Sequence, residues 1–193
     1  MAKNEKFLDF ADRVLTAAVD SDAETAEALA EADVDGTTVK DLTDSMQAVI
    51  GEKIVVRRLG RLVAPKVELY LHRTSPDLPA QVAVLLGTDA AGAEVAHDVA
   101  MHIAAYSPLY LSREDVPAET VAKERAIAEE TTRAEGKPEQ AIARIVEGRL
   151  GGFFKEICLT EQAYAKDPKT TVGKVVAATG GEVTGFVRVR VGA

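Results

Sequence analysis

The sequence predicts an α+β fold built from two related α/β subdomains with a helical hairpin inserted in the second. Three observations carry that expectation. Long stretches repeat apolar residues at steps of three and four, the mark of helices with one buried side. Other stretches are short, β-branched and bounded by glycine or proline, as strands are. A helix, a glycine-bearing turn and a strand with paired arginines also occur twice, as "AVIGEKIVVRRLGRLV" from Ala48 and "AATGGEVTGFVRVRVG" from Ala177. Such an echo points to two halves of one plan. The expected boundary lies at residue 92, with subdomains 1–92 and 93–193 and the hairpin at 117–156.

Taken in order, Glu5 to Val19 reads as a helix with Phe7, Phe10, Val14 and Leu15 on one side. Ser21 to Asp35 is acidic and alanine-rich, a short helix with loose ends that Gly36 breaks. Val39 to Ile50 is a second amphipathic helix, and Gly51 stands where a helix-ending glycine belongs. Lys53 to Val63, Val67 to His72 and Val82 to Leu86 read as strands, the last as a central one. Thr88 to Gly92 is a loop. Ala93 to Tyr106 is a helix that Pro108 ends. The hairpin runs from Pro117 to Glu156 and turns at Gly136-Lys137-Pro138, where glycine accepts a positive φ and proline presets the next first turn. Its first arm is poor in large apolar residues. Its second carries the stripe Ile142, Ile145, Val146, Leu150 and Phe153. A narrow stripe of this kind suits a projecting hairpin. Ile157 to Tyr164 reads as a strand, Thr171 to Ala178 as a helix and Glu182 to Val191 as a final strand.

With 193 residues and 47% hydrophobic content the chain can bury a core without covalent staples. Its single cysteine, Cys158, has no internal partner for a disulfide. No apolar run approaches the roughly 18 residues of a membrane span, and the start of the sequence lacks a signal-peptide pattern. A cytoplasmic protein is expected. The net charge of −8 sits in the first fifty residues, where 12 acids face 4 bases. A chain without a basic face is a poor binder of nucleic acid. Proteins and small molecules remain as partners.

Candidate chemistry is sparse. His97 and His102 lie five residues apart on a helix, about 140° around it, so they do not share a metal ion. Cys158, in an apolar run with no base beside it, reads as a small buried hydrophobe. Gly148, Gly151 and Gly152 lie within or after a helix and make no phosphate cradle, and Gly87 to Gly92 lacks the phosphate-loop lysine. His72, at a strand end before a loop, reads as a surface histidine. No catalytic residue, cofactor site or metal site emerges, so the residues point to a binding protein and not to an enzyme.

Eight ordered segments resemble the bacterial elongation factor Ts family over nearly the whole chain: "AKNEKFLDFADRVLTAAV", "IGEKIVVRR", "YLHR", "HDVAMHIAA", "YLSREDVP", "EGKPEQAIARIVEGRLGGFFKE", "LTEQAYAKDP" and "EVTGFVRVRVG". The resemblance implies two α/β subdomains with antiparallel sheets and a coiled-coil hairpin. It implies an exchange factor that binds elongation factor Tu and promotes GDP release, with no direct contact to nucleic acid or membrane. Gly51, His72, Ala165 and Lys166 match positions that contact this partner. The resemblance leaves a homodimer or a two-plus-two complex open. In the family a Thr-Asp-Phe-Val segment and a small helical domain precede "AKN", whereas this sequence begins there. Docking with weakened exchange is the expectation for these residues. The alternative is a non-catalytic interaction or chaperone-like module.

Overall fold

A computed structural model describes residues 3–192. The chain falls into two compact units, one gathering the chain up to Leu62 with Leu71–Ala83 and the segment from Val187 on, the other gathering Val63–Tyr70 with Val84–Phe186. An α+β fold results, as expected from the sequence.

In the first unit, α1 (Glu5–Asp20) begins where the Asn4 side chain accepts the Lys6 N–H at 2.9 Å, satisfying one of the orphan donors of a helix start. Thr25 caps α2 (Ala26–Ala30) in the same way through the Ala28 N–H. Strands β1 (Asp33–Val34) and β2 (Thr37–Thr38) pair antiparallel across Asp35 and Gly36, which both adopt positive φ, at 54° and 82°. Two such residues in succession are what a tight hairpin requires. Thr38 then caps α3 (Val39–Ile50), and Gly51 closes that helix with φ 77°, its N–H donating to the Gln47 carbonyl at 2.8 Å. Phe10, Val14, Leu29, Val34 and Val39 form the core of this unit.

The expected strand over Lys53 to Val63 is not formed: no residue of that range lies in a strand. Ile54, Val56 and Leu59 nevertheless pack on the helical core. The Ile54 N–H donates to the Gln47 side chain at 3.1 Å. Alternating burial is thus satisfied by side-chain packing, and alternation alone does not demand a ladder partner.

Three strands, β3 (Lys66–His72), β4 (Val82–Thr88) and β7 (Val183–Arg190), form a sheet in the order β3-β4-β7. The middle place of β4 matches its composition: Val82, Val84 and Leu86 are buried and no charge interrupts them.

In the second unit a short 3-10 turn, Gly92–Val95, leads into α4 (Ala96–Tyr106), which ends at Ser107 in the left-handed region just before Pro108. The hairpin is α5 (Ala118–Ala134) and α6 (Glu139–Ile157), with Gly136 at φ 70° in its turn. Small residues on α5 let the arms approach closely: Ala128 and Thr132 are buried against a stripe of Ile142, Val146, Leu150, Phe154 and Ile157. Ile145 and Phe153, expected in that stripe, flank it half-buried. Ion pairs Arg125–Glu147 at 2.5 Å and Arg149–Glu135 at 2.6 Å tie the outer faces of the two arms.

A second correction follows the hairpin. Ile157 to Tyr164 is not a strand: α6 continues to Ile157, a 3-10 turn spans Leu159–Glu161, and only β5 (Ala163–Tyr164) is extended ladder. The Ile157 carbonyl accepts from the N–H groups of Leu109 and Tyr110, and the Leu159 N–H donates to Tyr110. The apolar run is buried by a helix end locked to the segment before the hairpin. β5 pairs antiparallel with β6 (Asp167–Thr171), and Thr171 caps α7 (Val172–Ala178).

Candidate functional site

The four residues expected at a docking surface fall in two places, Gly51 and His72 in the first unit and Ala165 and Lys166 in the second. Each is exposed.

Gly51 terminates α3 with its positive φ, and no atom lies within 4 Å of the position a Cβ would take. The turn is therefore open to solvent, and its shape depends on glycine because a side chain is strained at that φ. His72 ends β3, where its carbonyl accepts the Gln81 N–H at 3.0 Å. The strand leading to it carries Val67, Leu69 and Leu71 at a spacing of two, all about half exposed. That apolar stripe was legible as alternation, but the sequence did not tell that it remains uncovered.

Ala165 and Lys166 form the turn between β5 and β6, and this turn is held from α4. Lys166 reaches Asp98 on that helix, Nζ to Oδ1 at 2.6 Å, and the bond pushes the lysine further above its ordinary range. One turn further along α4, the buried His102 ring meets the Ala165 N–H with Nδ1, at 3.2 Å. Its Nε2 lies 2.9 Å from Gln162 Oε1, and the Gln162 amide nitrogen donates to the Glu156 carbonyl at 2.7 Å. Tyr106 stacks on the ring with centroids 4.5 Å apart, and Tyr164 lies tilted at 6.2 Å. Burial depresses the basicity of His102, opposed by the Gln162 bond. Sequence reasoning considered His102 only as a metal ligand. Nothing in one sequence pairs it with Gln162, sixty residues away.

His97 has a different environment, bonded to Glu68 at 2.7 Å with its ring edge-on to Tyr70. The two histidines thus point to separate partners, as their helical spacing demands. Cys158 is fully buried, and burial raises its thiol to about 11, so the thiol stays protonated at neutral pH. Arg113 is forked onto Glu161 and lies over the Phe154 ring, 4.6 Å from its centroid. These polar groups fasten turns and helix ends. Such an arrangement can present exposed loops of fixed shape to another macromolecule.

The family model described as Elongation factor TS matches residues 1–193. The elongation factor Ts of Beutenbergia cavernae is 61% identical over 193 residues, covering all of this chain and 69% of the relative. That of Micrococcus luteus is 58% identical over 195 residues, and that of Kocuria rhizophila 53% over 194, each match covering all of this chain and 70% of the relative. The chain belongs to the elongation factor Ts family.

Proposed function

We propose that these residues form the part of an elongation factor Ts that docks on elongation factor Tu, and that docking favours the nucleotide-free partner over its GDP form. A binder with that preference speeds GDP release by shifting the partner's population, without chemistry of its own. The observation that carries the reading is the Ala165-Lys166 turn: it is exposed, yet pinned to α4 at Ala165 through His102 and at Lys166 through Asp98. A loop ordered before its partner arrives loses less entropy on binding. Gly51 and His72 are the other contacts in this reading. His72 would hydrogen-bond, while Ala165 and the Lys166 stem would add apolar area. The half-exposed stripe Val67, Leu69 and Leu71 is further surface that a partner would cover. The division into related halves at residue 92, with the hairpin as an insertion in the second, belongs to the same reading.

Elongation factor Tu loaded with fluorescent GDP tests it. The 193 residues alone should bind the partner and release GDP more slowly than the longer Micrococcus luteus relative does. Failure to bind would overturn the docking assignment. Release at the full rate of the relative would overturn the expectation of weakened exchange.

A further inference from the structure

The proposal concerns His102, buried beneath the turn just described, and it rests on the reading of that turn as a partner contact. The starting point is the orientation of Gln162. Its amide nitrogen donates to the Glu156 carbonyl, which turns its Oε1 toward the His102 ring. An amide oxygen only accepts, so His102 Nε2 carries a proton. On the other side of the ring the Ala165 N–H points at Nδ1. A backbone N–H only donates, so Nδ1 carries a lone pair. Both neighbours therefore select one species, the neutral imidazole protonated on Nε2. An imidazolium would set a second N–H against that of Ala165 and break the bond.

We propose that His102 is a positioning residue for docking: as the neutral Nε2–H tautomer it holds Ala165, and with it Lys166, in the shape that meets the partner.

The surroundings agree. Facing the ring are Tyr106 from α4 and Tyr164 from β5. Asp98, one turn back on α4, is engaged by Lys166. Glu156 contributes its backbone carbonyl through Gln162. His102 as a residue is buried, 1% exposed. Burial favours the uncharged form, in keeping with a proton held only on Nε2. A carboxylate partner, which would have stabilised the imidazolium, is not among the groups bonded to the ring in the described residues.

Two arms test this on the 193-residue chain. In the first, ring and amide nitrogen shifts are followed by NMR from pH 8 downward. At pH 7.5 His102 should be neutral with the proton on Nε2, and the Ala165 amide should move on acidification with the midpoint of the ring. A proton on Nδ1, or a charged ring at pH 7.5, overturns the proposal whatever the partner does. In the second, calorimetry measures affinity for elongation factor Tu. His102→Leu should weaken binding about tenfold, the worth of one buried hydrogen bond. His102→Asn, whose Oδ1 can stand where Nδ1 stood, should recover most of that loss. Wild-type affinity in a folded His102→Leu chain overturns the proposal. If His102→Leu does not fold, His102→Asn and the NMR arm decide. Lys166→Glu distinguishes the two levels. If it weakens binding and the His102 variants do not, only the positioning role falls; if it too leaves affinity unchanged, the docking assignment of the turn falls with it.

Discussion

Gly181 leaves no room for a side chain, because a Cβ there would lie against the Gly92 nitrogen and Asp89. Asp89 draws these two backbones together, its Oδ1 accepting from Gly92 at 2.7 Å and Glu182 at 3.1 Å, which holds its carboxyl below the ordinary 3.8. Gly181→Ala should therefore cost about 1–3 kcal/mol, as overpacking against rigid backbone does. Gly148 on α6 has open space around it, so Gly148→Ala should gain about 0.5–1 kcal/mol of helix propensity. Urea unfolding of the two variants checks both signs. The same method tests the pH response. His102 is depressed below 6.5, so the unfolded chain binds the proton first; its contribution is complete above pH 6.5 and is lost as pH falls below it. Asp89 is also depressed, but its contribution is lost only near and below 3.8. A fall in stability as pH drops below 6.5 that is absent in His102→Asn is the expected result. One sequence shows neither the packing of Gly181 nor the role of His102, since their partners lie about ninety and sixty residues away.

At the scale of elements the helices were legible and part of the β-structure was not. Val39–Ile50 with Gly51 behind it, and the hairpin with its glycine-proline turn, are written in apolar spacing and in the φ needs of two residue types. Lys53 to Val63 and Ile157 to Tyr164 misled for one reason. A β-branched or apolar run reports burial, and burial can be met by packing on helices or by a helix end as well as by a ladder. The hairpin offers the test at this scale. Leu150 is buried in the seam and Ile127 is 48% exposed. Leu150→Ala should cost about 2–5 kcal/mol and Ile127→Ala less than about 0.5. Equal losses in denaturant unfolding would mean that the arms do not pack along Ala128, Val146 and Leu150.

At the scale of the molecule, membership of the elongation factor Ts family rests on a match along all 193 residues and on relatives above half identity. The family was legible in eight ordered segments. The proposed docking surface rests on that resemblance, because an exposed glycine, histidine, alanine and lysine carry no motif of their own. What the fold adds is the support beneath two of them, the α4 clamp on Ala165 and Lys166. His72 and Lys166 are exposed, so replacing both should leave the chain folded at a cost of about 1 kcal/mol or less, the exposed Lys166–Asp98 pair included, and should act mainly on binding. Calorimetric titration of elongation factor Tu with the His72→Ala, Lys166→Ala double variant is the most direct test of docking. Affinity should fall at least about tenfold while cooperative unfolding is retained. An unchanged dissociation constant would contradict the assignment of the interface.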